Sequence, residues 1–326
     1  MPASHRLALD LRPATLDDVE IIADLEAMRD PDDPRDPAMV RYWWTSGSLG
    51  QVHSRLVAVR DGQAVAFVGA GHERWTEDAE RFGIVRVTIR SDLWSPLEYA
   101  RLAGEGESWL ESEGVVTAVA RVREDFKREV EELMRIGYRE VRTMRISELD
   151  LIANRKTLLA EAGRQRLKME GQHVAMMTLS DDGDPDRLAK LYEMTVGAEQ
   201  DIPSTVPIPR QPFDEWMHAM FDNPGLRQDR FWIAREGQDI VGLSFLEFPP
   251  RRGLPWTGFT ATSKSVRGRG IARALKYESM AQAIELGFDR VRTANDAANA
   301  PMLHINAEMG YRLVVPTIEL HRDLES

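Results

Sequence analysis

The chain has 326 residues, 43% of them hydrophobic and 29% charged, with no cysteine and a formal net charge of −11. That length accommodates two domains with a core each. The acidic balance argues against nucleic acid or an anionic membrane as partner, and the lack of cysteine excludes disulfides, zinc–thiolate sites and a cysteine acyl-enzyme. No apolar run reaches the length of a membrane span and residues 1–11 carry no signal-peptide core, so a cytoplasmic location is expected.

The first half opens with a helix carrying Ala23, Leu25 and Met28, then a surface loop over 30–37 that holds three prolines and four aspartates. Residues 55–60 and 64–69 alternate as two strands about the turn Asp61-Gly62, a hairpin pattern. Further strands are expected over 82–89 and 115–122, and a helix then runs into Gly137-Tyr138. Residues 154–169, rich in helix formers, predict a connecting helix with Asn154 as its N-cap.

The second half repeats this order. Ala189, Leu191 and Met194 match the early helix, and residues 230–238 match 55–63 in type, ending on Glu236-Gly237 before a strand over 239–248. Met309-Gly310-Tyr311 echoes Ile136-Gly137-Tyr138. Three matches in one order indicate a duplicated α/β domain. The expected division is a first domain over 1–152, a connecting helix over 153–171 and a second domain over 172–326. Within the second, Pro203, Pro207, Pro209 and Pro212 mark 197–211 as a shaped loop, with Glu199 and Asp201 able to attract a cationic amine or simply to face solvent. Residues 213–221 read as an amphipathic helix whose aromatics belong to the core.

The copies differ in one run. In the second, a strand over 256–262 is followed by Arg267-Gly268-Arg269-Gly270-Ile271-Ala272 and an apolar-periodic helix over 271–286. Glycines before a helix N-terminus leave room for a phosphate, unpaired N–H groups and the helix dipole attract it, and the two arginines can add charge-assisted bonds. The first copy reads Arg90-Ser91-Asp92 at the same place, where an acid would repel phosphate. After a strand over 289–294 the second copy continues with Asn295, Asn299, a helix over 301–309 and Gly310-Tyr311. Asn295 and Asn299 have a plain reading as turn-former and N-cap.

This succession of strand, Arg-x-x-Gly-x-Ala, helix, strand, Asn-x-x-x-Asn, helix and Gly-Tyr resembles the GCN5-related N-acetyltransferases (the GNAT superfamily). The specific part covers about 256–315, and a weaker likeness extends over most of the chain in the tandem arrangement of mycothiol-synthase-like members. The resemblance implies a fold of two tandem GNAT-like domains, each a mixed, mostly antiparallel sheet flanked by helices, the first having lost its cofactor loop.

The resemblance further implies acetyl-CoA as co-substrate and no metal. Its pyrophosphate would lie on Arg267, Gly268, Arg269, Gly270, Ile271 and Ala272, its pantetheine along the backbone of Thr260, Ala261 and Thr262, with Asn295, Asn299 and Met302 at its side. The implied reaction is direct attack of a small-molecule amine on the thioester. Stepping about 100° per residue returns Asn306 to within about 20° of Asn299 and leaves His304 about 140° away, at the surface. Asn306 stands where many relatives carry a tyrosine acid for the thiolate, and an amide has no such proton to give. Strand 256–262 has no carboxylate, so Glu247 is the first candidate for the base, against a reading as a solvent-facing strand residue. The implied function is an N-acetyltransferase, monomeric or homodimeric. The alternative is a non-catalytic CoA-binding or regulatory protein.

Overall fold

The computed structural model describes residues 9–75, 80–202, 204–206 and 208–324. Most of the 1–11 start, together with Pro203 and Pro207, lies outside the described residues. The chain divides into two compact units, one of Met1–Trp44, Gly50–Thr143 and Thr317–Ser326, the other of Thr45–Leu49 and Met144–Pro316.

In chain order the first unit holds β1 (Arg12–Pro13), α1 (Val19–Arg29), α2 (Pro37–Trp44), β2 (Gln51–Arg60), β3 (Gln63–Glu73), β4 (Phe82–Ile89), α3 (Pro96–Ser112), β5 (Thr117–Arg123), α4 (Lys127–Arg135) and the start of β6 (Arg139–Asp150). The second unit continues with α5 (Leu151–Gly171), β7 (Ala175–Thr178), α6 (Arg187–Glu199), α7 (Phe213–Phe221), β8 (Phe231–Glu236), β9 (Asp239–Glu247), β10 (Trp256–Thr262), α8 (Ile271–Glu285), β11 (Arg290–Asp296), α9 (Ala300–Met309) and β12 (Arg312–Leu313). The last strand, β13 (Thr317–Asp323), falls in the first unit, where it pairs antiparallel with β5. By position in the sequence it would have been counted with the second copy.

Each unit is a mixed, mostly antiparallel sheet flanked by helices, and the tandem architecture read from the repeats holds. In the first, β1 to β4 pair antiparallel in sequence order and β4 runs parallel to β5. In the second the order is β6-β11-β10-β9-β8-β7, with β10–β11 its parallel pair. A parallel pair needs a crossover, supplied by α3 in one unit and α8 in the other.

The second sheet is buried on both faces. Leu191, Trp216, Phe231, Leu243 and Phe245 form the cluster under α6 and α7. Ile271, Ala274, Leu275 and Val241 pack together under α8, while Leu158, Met280, Ala283 and Ile284 join α5 to it. Phe231, Leu243 and Leu275 are fully buried, each contributing about 1.5–3 kcal/mol. Burial on two faces is why β9 reads as an almost continuous apolar run. Helix α7 spans the expected residues, and Trp216 meets Tyr192 and Phe221 edge-on within the core.

Three boundaries differ from the sequence reading. The connecting helix begins at Leu151 and is capped by Asp150, whose carboxylate accepts from Ala153 N at 2.8 Å. Asn154 instead donates to the Asp150 carbonyl at 2.8 Å, because the carboxylate one turn earlier takes the free N–H groups first. Helix α6 runs on through Gly197 and Ala198 to Glu199, so the shaped loop starts at 200. Strand β11 extends to Asp296 and includes Asn295, since antiparallel pairing to β6 continues as far as Met144.

Candidate active site

The run leading into α8 departs from ordinary helix entry. Gly268 and Gly270 take φ of 80° and 90°, and Gly270 is the N-cap with no side chain closing the helix end. The first intrahelical bond runs from Ala274 N to Gly270 O at 3.0 Å. The N–H groups of Ile271, Ala272 and Arg273 therefore point forward without intrahelical partners, at the positive end of a fifteen-residue helix. A Cβ on Gly270 would stand 3.0 Å from Lys168 Nζ, so an amine from α5 already lies against the turn. Lys168 is a feature that the sequence reading missed, and nothing in its helical surroundings singles it out.

The two arginines are engaged. Arg267 pairs with Asp201 at 2.5 Å, and Lys264 joins the same carboxylate at 2.8 Å. Asp201 is thus occupied by cations of its own chain, which hold its carboxyl below the usual range. Arg269 reaches Glu236 at 3.0 Å and Gln172 at 3.3 Å. Glu199, at the end of α6, is pushed up by burial.

Strand β10 pairs along its length with β9, but its parallel register with β11 is confined to Trp256 and Arg292 among the described residues. Beyond that point the strands part and leave a wedge along Thr260, Ala261 and Thr262. Half of the peptide groups of a strand face each neighbour, so this edge offers free N–H and C=O groups to an extended ligand. The Thr260 hydroxyl is used elsewhere, bonded to Ser244 at 2.9 Å. Register slips at Gly258, an unpaired residue between Thr257↔Leu246 and Phe259↔Phe245. A Cβ there would lie 2.1 Å from the Phe245 ring, so glycine is obligatory at this bulge. An isolated glycine in a strand was the available signal for it.

Glu247 ends β9 opposite Trp256, which pairs in turn with Arg292, so the carboxylate-bearing residue shares a row with the closed end of the wedge. It is not a solvent-facing glutamate. Its Oε1 accepts from Asn223 Nδ2 at 2.9 Å, and burial pushes its carboxyl above the usual range despite that bond.

Asn299 acts as N-cap of α9, accepting from Met302 N at 3.3 Å, which is its plain reading. Asn306 is 2% exposed and donates through Nδ2 to Asn295 Oδ1 at 2.7 Å, while its own Oδ1 has no partner. The structure thus brings Asn306 and Asn295 together. His304 is at the surface, paired with Glu308 at 3.2 Å. The second unit thus carries an open helix end at α8, an open edge on β10 and a half-buried carboxylate at the end of β9.

Comparison with known proteins bears on the fold and on the second unit's sequence. Residues 188–311 match the model of the Acetyltransferase (GNAT) family. No curated protein matches the chain. Among solved structures, a GCN5-related N-acetyltransferase from Sphaerobacter thermophilus superposes with a TM-score of 0.68 at 19% identity, covering 98% of this chain and 96% of that one. A tandem GNAT protein from the clavulanic acid biosynthesis pathway, solved without AcCoA, gives 0.74 at 13% identity, covering 98% and 99%. FemX gives 0.57 at 10% identity, covering 97% and 98%. At these identities the likeness is one of fold.

Proposed function

We propose, for a chain whose residues 188–311 match the GNAT family model and whose structure has the tandem GNAT fold, that its second unit transfers an acetyl group from acetyl-CoA to the amine of a small molecule. The observation that carries this reading is the continuity of the open β10 edge with the uncapped, glycine-bounded N-terminus of α8. The pantetheine arm would add to the edge at Thr260 to Thr262 and the pyrophosphate would accept from Ile271, Ala272 and Arg273 N–H, with Lys168 adding charge. Arg267 and Arg269 frame the turn from their ion pairs.

Holding amine and thioester in line supplies up to about 7–11 kcal/mol as effective molarity. Backbone N–H groups at the Gly258 bulge are suited to the developing oxyanion, since the unpaired residue leaves its peptide outside the ladder. Glu247 takes the proton of the attacking amine, and its raised carboxyl is better matched to that task than an ordinary one.

Calorimetric titration with acetyl-CoA tests the assignment. One site per chain is the expected result, and absence of heat with a folded protein removes it. A second reading, a CoA-binding protein without turnover, is favoured by Asn306 alone, an amide with no proton to give. CoA release in the presence of a panel of small primary amines separates the two.

A further inference from the structure

We propose that the acceptor carries a second cationic group besides the amine that is acetylated, and that the Glu199 carboxylate binds it; this rests on reading the second unit as an acetyltransferase of small amines. Helix α6 turns the stripe Leu188, Tyr192, Thr195 and Glu199 towards the sheet, positions that at about 100° per residue fall within about 60° of arc. Tyr192 and Thr195 are buried, and Leu188 and Tyr192 pack in the same cluster as Phe245 of β9 and Phe259 and Ala261 of β10. Glu199 puts a half-buried carboxylate at the last position of that stripe. Its place along the sheet is fixed by Asp201, two residues on, which pairs with Lys264 and Arg267 just beyond Thr262. Glu199 therefore stands at the end of β10 where the wedge is open.

A carboxylate on the sheet-facing side of a helix ordinarily has a partner, because taking its charge out of water is costly. Among the described residues no hydrogen bond or ion pair reaches the Glu199 carboxylate, and burial alone acts on it, pushing it up. The cations around α6 are engaged elsewhere. Lys190 is held by Asp184, Arg210 by Glu193, and Lys264 and Arg267 by Asp201. Each of them neutralises another acid, which leaves Glu199 open to a cation from outside the chain.

Glu247 shares this face of the sheet. Side chains alternate along a strand, so Glu247 falls on the side of Leu243 and Phe245, both in the cluster under α6 and α7, and Asn223, which holds it, directly follows α7. The two carboxylates mark opposite ends of β10 on one face, Glu247 in the row of Trp256 and Glu199 beyond Thr262. Their tasks differ. An amine attacks only as the neutral base, and in the proposed mechanism it passes its proton to Glu247. Glu199 suits an ammonium or guanidinium that keeps its proton and takes no part in bond making. The acceptor that fits is an α,ω-diamine or an aminoalkylguanidine extended along β10.

The test is calorimetric titration of the protein loaded with CoA, the product, so that no turnover is needed. The probes are α,ω-diaminoalkanes of increasing chain length and the n-alkylamines of the same lengths. The best diamine binds about 10-fold or more tighter than its monoamine, and Glu199→Gln brings that pair to within about 2-fold. Glu193→Gln, on the solvent side of α6 and paired with Arg210, keeps the preference. Equal affinities of every pair in the wild type, or no heat with any diamine, overturn the proposal without recourse to a variant. So does a preference that survives Glu199→Gln or is lost in Glu193→Gln. Failure of both CoA and acetyl-CoA to bind the wild type overturns the acetyltransferase reading itself, which is distinct from a CoA-loaded protein that ignores the second charge.

Discussion

The two units build the same strand–helix–strand crossover and finish its helix end in opposite ways. In the first, Ser95 caps α3 by accepting from Glu98 N at 3.2 Å, Pro96 takes the first helical position, and Arg90 is closed on Asp92 at 2.7 Å. In the second, Gly270 leaves α8 without a cap. The parting strands differ likewise. Beyond its last parallel pair, Ile84↔Val119, the β4–β5 gap is lined by Arg29, Arg86 and Tyr99 around a cavity of about 10 Å³, room for one water. Glu26 holds Arg86 at 2.8 Å there. Counting four back from each Gly-Tyr step, Asn306 is matched by Leu133, a residue 1% exposed in the first core. On the proposed reading, a frame of this kind becomes a ligand site where its helix end is left uncapped and its gap unfilled.

The change that strikes most directly at the uncapped helix end is Gly270→Val. A β-branched residue at φ 90° costs about 1–3 kcal/mol in place, and relief of that strain turns the N–H groups of the first turn away from their common focus. Acetyl-CoA affinity measured by calorimetry falls about 100-fold or more, equivalent to about 2.7 kcal/mol. Wild-type affinity in a folded variant would break the comparison at its main point.

Next is Glu247→Gln. In the proposed mechanism the carboxylate form is the base, and its raised carboxyl makes wild-type kcat/KM fall at a higher pH on the acid side than an ordinary glutamate would. The variant loses that limb and about 10²–10⁴-fold in rate, read as CoA release with the amine panel. An unchanged pH profile removes Glu247 from the chemistry.

The sequence disclosed what repeats and what is local. The duplicated hairpins, the crossover helix α8 and the Arg267-to-Ala272 turn follow from apolar period and turn residues, and β4, β10 and α7 begin and end where those patterns do. What it hid depends on neighbours distant in the chain. Asp150 outcompetes Asn154 for the cap because the helix starts three residues earlier. The embrace of Arg267 by Asp201 joins residues 66 apart, and the contact of Lys168 with Gly270 joins two helices. Lys276 escaped notice because an amine inside an apolar period reads as the polar side of a helix until packing buries it.

That burial sets a third expectation, on stability. Lys276 titrates at about 7 when folded and near 10.4 when unfolded. Between those values the unfolded chain binds the extra proton, so this group makes stability rise with pH. Below about pH 7 both states are protonated and the cost of the buried charge is carried in full. Lys276→Met is therefore more stable than the wild type, with its advantage greatest in acid and shrinking towards pH 10. Urea unfolding at several pH values measures it, and a difference independent of pH would show that Lys276 is solvated.

The smallest effect separates the cap from the rest of the first unit's departure. Ser95→Ala removes the oxygen that accepts from Glu98 N and costs about 1 kcal/mol. It leaves Asp92 in the preceding turn and Pro96 at the helix start. Because repulsion by Asp92 and the filled β4–β5 gap both persist, acetyl-CoA still binds at one site per chain. A second site appearing in this variant would mean that one hydroxyl had kept the first unit closed. An unchanged stoichiometry with the small stability loss would instead assign the closure to the charge and the packed gap together, and the next change to make would be Asp92→Gly in the same background.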